Sequence, residues 1–170
     1  MRLFIALCFD DKMTGELVQA QDGLKKDGME GYYTVPENLH MTLAFIGEYN
    51  DPDRVLEILG QIPFPECCMR FSGFQLYRDM CFLRLGQCSE LEGYVRKLRK
   101  ALSDAGIPFD RKAFSPHVTL ARKVSFRNGI PSLNAETPDM DFSAARISLM
   151  LSERGKNGMI YTEIGGMDGY

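Results

Sequence analysis

A chain of 170 residues with 45% hydrophobic and 25% charged side chains is long enough to bury its own core and short enough to form one globular domain, residues 1–170. A net charge of −3 argues against wholesale attraction to nucleic acid, and the apolar run at residues 3–9 is too short to span a bilayer and leads into Asp10-Asp11 instead of a cleavage site. A soluble, cytoplasmic, monomeric protein with no membrane attachment is the expectation.

Residues 2–9 read as a buried first strand. From Asp10 or Asp11 as cap, Met13, Leu17, Ala20 and Leu24 recur at helical spacing up to Gly28. A short aromatic stretch at 32–35 and a turn at Pro36-Glu37-Asn38 precede a strand over 39–46. Asp51-Pro52 opens a second helix to Gln61. Residues 68–77 and 80–85 then suggest two strands about an Arg78-Asp79 turn.

Ser89 reads as the cap of a third helix reaching Ala105, with Leu91, Tyr94, Val95, Leu98 and Leu102 inward. A strand over 116–123 follows, then a Gly/Pro/Asn/Ser-rich loop at 127–139. Residues 142–151 and 159–164 form a hairpin about Gly155-Lys156-Asn157-Gly158. About eight strands and three helices, rich in hairpins, predict an α+β fold.

One phrase occurs twice. His40-Met41-Thr42-Leu43 and His117-Val118-Thr119-Leu120 contain both histidines of the chain. In a strand, a His-x-Thr spacing puts the imidazole and the hydroxyl on one face and apolar residues on the other. Each copy also has a small residue two places after its Thr, Ala44 and Ala121. The copies lie well apart, each after a helical stretch, which suggests two similar lobes facing one another.

Two facing imidazoles suit a reaction in which one proton is taken and another given near neutral pH. Displacement at phosphorus fits: one histidine accepts the proton of the attacking oxygen, its partner protonates the departing oxygen, and Thr42 and Thr119 hydrogen-bond the non-bridging oxygens. The five cysteines (Cys8, Cys67, Cys68, Cys81, Cys88) show no Cys-x-x-C pair and no nearby histidine, so free thiols, no metal site and no cofactor are expected. Tyr32, Tyr33 and Phe114 are candidates to stack a nucleobase. Residues 84–123 hold nine Lys/Arg against four acids, a local basic patch whose helical part, Arg96 to Lys100, reads first as a solvated face.

With these residues in view, the sequence resembles the 2H phosphoesterases. The segments at 1–6, 38–48 and 114–122, and the closing stretch at 151–161, look like bacterial and archaeal RNA 2′,3′-cyclic phosphodiesterases of the LigT/ThpR type. The resemblance implies two α+β lobes, with antiparallel sheets facing a central cleft and helices outside. It also implies metal-independent opening of a ribose 2′,3′-cyclic phosphate, on an RNA end or a nucleotide, to a 2′-phosphomonoester. By that likeness His40 is the proton donor, His117 the proton acceptor, and Thr42 and Thr119 hold the phosphate. Arg122 matches a basic position of the family, although unbroken strand alternation points it away from His117. Two alternatives stand beside hydrolysis: the same histidines run backward to join RNA ends as a 2′-5′ ligase, or a non-catalytic module that binds RNA ends or nucleotides through the basic patch.

Overall fold

The computed structural model describes residues 1–169. Its elements run β1 (Arg2–Cys8), α1 (Asp11–Lys26), β2 (Met29–Tyr33), a single 3₁₀ turn (Pro36–Asn38), β3 (Met41–Glu48), α2 (Pro52–Gly60), β4 (Phe71–Tyr77), β5 (Met80–Leu85), α3 (Ser89–Asp104), β6 (His117–Phe126), β7 (Arg146–Gly155) and β8 (Gly158–Asp168). The expected α+β class, with eight strands and three helices, is what forms.

All strand pairs are antiparallel, in the order β4-β5-β6-β3-β1-β7-β8, with β2 also on β6. The sheet has two four-stranded halves, β4-β5-β6 with β2 and β3-β1-β7-β8. A single pair joins them, Met41 opposite Val118. Each His-x-Thr segment therefore sits on the strand at the border of its own half.

The three helices cover one face. Leu3, Ile5 and Leu7 of β1, Met41 and Leu43 of β3, Val118 and Leu120 of β6, and Ile147 and Leu149 of β7 pack there against Leu17 and Leu24 of α1, Val55 and Leu59 of α2, and Leu91 and Leu98 of α3, in one continuous core. Phe4, Ala6 and Phe82 are also buried but stand outside that core, on the opposite face. Both faces of β1 are thus withdrawn from water, which explains its unbroken apolar run.

The helix starts follow their caps. The Asp10 carboxylate accepts from the Met13 amide at 2.8 Å, and that of Asp51 from the Arg54 amide at 3.1 Å ahead of Pro52. Ser89 is a correction: it is the first residue of α3, and Cys88 occupies the cap position without a side-chain bond. The final hairpin is longer than its hydrophobic pattern suggests, since Gly155 pairs with Gly158 and pairing continues to Arg146 with Asp168. Apolar alternation stops marking a strand where both of its faces meet solvent, as at Glu153 and Arg154.

Candidate active site

The register joining the halves builds the site. With Met41 opposite Val118, the neighbouring residues bring His40 beside Thr119 and Thr42 beside His117, all on the face away from the helices. The two histidines take one diagonal of this square and the two threonines the other, with diagonal Cβ atoms about 7 Å apart. Met41 and Val118, pointing the other way, are fully buried.

Each ring is held the same way. Nδ1 of His40 lies 2.7 Å from the Asn38 carbonyl and Nδ1 of His117 lies 2.7 Å from the Ser115 carbonyl. A carbonyl only accepts, so Nδ1 carries the hydrogen in both rings and the Nε2 lone pair is left for chemistry. For His40, Nε2 is 3.0 Å from the Thr42 hydroxyl, which donates to the neutral ring. Aromatic neighbours fix the ring planes: Phe82 stacks on His117 at 4.0 Å and 27°, while Phe4 and Tyr161 bracket His40 at 4.9 and 5.4 Å. The turn before His40 is pinned to the final hairpin by the Asn38 amide, which donates to the Met159 carbonyl at 2.9 Å.

Burial pushes both imidazoles below their ordinary pKa of 6.5. The backbone carbonyls oppose this, the Arg122 charge adds to it at both rings, His117 adds to it at His40, and Arg84 adds to it at His117. Arg122 thus stands within electrostatic reach of both rings, contrary to its expected direction. The reason is a β-bulge. Phe82 pairs with Thr119 but Cys81 pairs with Ala121, so β6 carries one extra residue there. Leu120 and Ala121 are both fully buried on the helix side, and alternation resumes one residue late, with Arg122 on the histidine face. Two features secure the bulge. Buried Gln21 of α1 donates to the carbonyls of Thr34 and Leu120, at 2.8 and 3.1 Å. Gly31 passes so close that a Cβ there would lie 2.7 Å from the Arg122 carbonyl oxygen.

Two aromatic candidates lie elsewhere. Tyr33 pairs with Ala121 and so shares its helix-side face; its hydroxyl donates to the Met29 carbonyl and the Lys25 ammonium sits over its ring. Burial raises its pKa to about 12. Phe114 packs against the core and lies beneath the guanidinium of Arg99, a helix residue that donates to the Leu43 carbonyl. Neither faces the histidines. The rings packed directly on the imidazoles, Phe4, Phe82 and Tyr161, carry no motif in the sequence, and neither does Arg84, which pairs directly with His117. Alternation along residues 80–85 carries the signal for Phe82 and Arg84 once β5 is paired with β6. Among the described residues, no group of three or more His, Cys, Asp or Glu side chains gathers as metal ligands do, and no helix is long and apolar enough to cross a membrane.

The sequence profile of the 2′-5′ RNA ligase superfamily matches residues 14–156. The chain belongs to that superfamily. Similar proteins include an RNA 2′,3′-cyclic phosphodiesterase of Thermotoga maritima, 25% identical over 173 residues, covering 95% of this chain and 91% of the relative. One of the same name from Aeropyrum pernix is 28% identical over 162 residues, covering 88% and 92%. Among solved structures, TT0787 of Thermus thermophilus superposes with a TM-score of 0.79 at 23% identity, over 99% of this chain and 97% of that one. E. coli LigT complexed with 3′-AMP gives 0.78 at 20%, over 98% and 96%. This superfamily fold thus extends over essentially the whole chain, including both His-x-Thr strands.

Proposed function

We propose that the protein hydrolyses ribose 2′,3′-cyclic phosphates, on RNA ends or nucleotides, to 2′-phosphomonoesters. The observation that carries this is the diagonal pair of imidazoles, each with Nδ1 bound to a carbonyl and Nε2 left for proton transfer, beside two threonine hydroxyls and Arg122. The names of the Thermotoga and Aeropyrum relatives support the substrate class.

In the proposed reaction the cyclic phosphate lies between the rings. Nε2 of His117 takes a proton from water as its oxygen bonds to phosphorus. The P–O3′ bond breaks opposite, and protonated His40 gives its Nε2 proton to the departing 3′ oxygen. The product carries a 2′-phosphate and a 3′-hydroxyl, with His117 charged and His40 neutral, and exchange with solvent restores both. Thr42, Thr119 and Arg122 stabilise charge on the non-bridging oxygens. Free His40 favours its neutral form, but the phosphodiester anion beside it favours the charged one, so binding itself loads the proton donor.

Outward from His117, Phe82 is followed by Tyr77 at 5.8 Å and 22°, nearly parallel to it. Tyr77 is 47% exposed, with Arg78 over its ring, so this stepped stack offers a nucleobase an aromatic surface. The test is incubation with 2′,3′-cyclic nucleotides and a cyclic-phosphate-ended oligonucleotide, with and without EDTA. Accumulation of the 2′-phosphate in both conditions supports the proposal. An unchanged cyclic phosphate, a 3′-phosphate product, or joining to an added 5′-hydroxyl strand in place of hydrolysis refutes it.

A further inference from the structure

The two His-x-Thr segments are near copies, with the same tautomer and the same carbonyl anchor two residues upstream. What makes one ring take a proton and the other give one must therefore lie beside them. Beside His40 stand uncharged groups: Thr42, Phe4 and Tyr161. Directly across from His117, on β5, stands Arg84.

We propose that Arg84 is a positioning residue that breaks this equality, committing His117 to proton uptake and leaving His40 as the donor; the inference rests on the proton-transfer reading above. Arg84 and His117 share an anchor. Nη1 of Arg84 donates to the Ser115 hydroxyl at 2.6 Å, and Nδ1 of His117 donates to the carbonyl of the same residue at 2.7 Å. The equivalent side chain before His40, Asn38, donates instead to the Met159 carbonyl and brings no charge.

Among the described residues Arg84 is paired with no carboxylate, in contrast to Arg54, Arg70, Arg127 and Arg146, so no ion pair offsets its charge. Among the described residues, the charged and titratable groups around His117 are Arg84 from β5, Arg122 from its own strand and His40 from across the seam, and no carboxylate makes an ion pair with either ring. Arg122 acts on both rings. Arg84 acts on His117 alone, adding to the burial that already disfavours its charged form. Its chemical consequence has two parts. The cation keeps the His117 lone pair free for water at lower pH, and it drives the proton off again after the reaction.

With only two histidines in the chain, their imidazole C–H resonances in a pH-titrated NMR spectrum are assigned by the one that vanishes in His40→Ala and in His117→Ala. In Arg84→Gln the pKa of His117 should rise by about 0.5–1 unit, the effect of removing one charge a few ångströms away in a solvated setting. That of His40 should move far less. The acid limb of kcat/KM against pH, measured with 2′,3′-cyclic AMP, should shift upward with it, and Arg84→Lys should return both towards wild type. An unmoved His117, equal movement of both rings, or a fall in kcat at every pH with no shift of the limb would overturn the proposal. If the wild-type protein leaves cyclic nucleotides untouched, the hydrolytic reading fails by itself, while the titration still decides whether Arg84 singles out His117.

Discussion

Replacing Gly31 by alanine should damage the site from behind. Gly31 has φ +155°, and a Cβ built on it lies 2.7 Å from the Arg122 carbonyl oxygen and 3.2 Å from that of Lys123. Non-bonded carbon and oxygen settle at about 3.3 Å or more, so the Arg122 backbone must retreat by about 0.6 Å. A misplacement of about 1 Å in a catalytic group costs on the order of 10²-fold, so a loss of roughly tenfold in kcat/KM on 2′,3′-cyclic AMP is expected. Stability should fall by about 1–3 kcal/mol from the backbone conformation. Gly106 is the control: its φ is +72°, it follows α3, and nothing lies within 4 Å of its added Cβ. Gly106→Ala should lower Tm and leave kcat/KM unchanged well below the transition. If Gly31→Ala is destabilised like Gly106→Ala yet keeps kcat/KM within about twofold, the bulge does not position Arg122 for catalysis.

Four further outcomes follow from the structure. Both histidines have pKa values lowered by burial, so kcat/KM against pH should be a bell centred below about 6.5, and the kcat profile should sit higher because the bound anion favours the charged rings. Because both rings bind protons more readily unfolded, Tm should drop as pH falls from the unfolded value of about 6.5 through their folded values; a flat Tm would contradict this. Gln21→Ala removes a buried donor from two carbonyls and should cost about 2 kcal/mol, roughly 4–8 °C in Tm by calorimetry. Tyr77→Ala should raise KM for a cyclic-phosphate-ended oligonucleotide several-fold with kcat preserved, whereas a lower kcat at unchanged KM would remove Tyr77 from binding.

What the sequence discloses and what it hides have physical causes. His40, Thr42, His117 and Thr119 are legible because a two-residue strand period fixes them on one face wherever the strands pair, and the capping of Asp10 and Asp51 is local chemistry. Arg122 is misdirected by alternation, because the extra residue at Leu120 and Ala121 is a property of pairing with β5 that no pattern within β6 shows. Tyr33 and Phe114 look like stacking residues from composition alone; their partners, Lys25 and Arg99, come from the helix that precedes each, and only the packing of that helix on the sheet shows that they meet. Arg84 is only one of nine basic residues in a patch until its register with His117 is known.

The division of labour between the two rings can be tested with a nucleoside phosphodiester whose leaving group is p-nitrophenolate, which departs without a proton. The expected result is that His40→Ala cleaves it within about tenfold of wild type, while His117→Ala loses the roughly 10²–10⁴-fold that a general base contributes. Equal loss in both variants, or retention only in His117→Ala, would contradict the assignment of donor and acceptor.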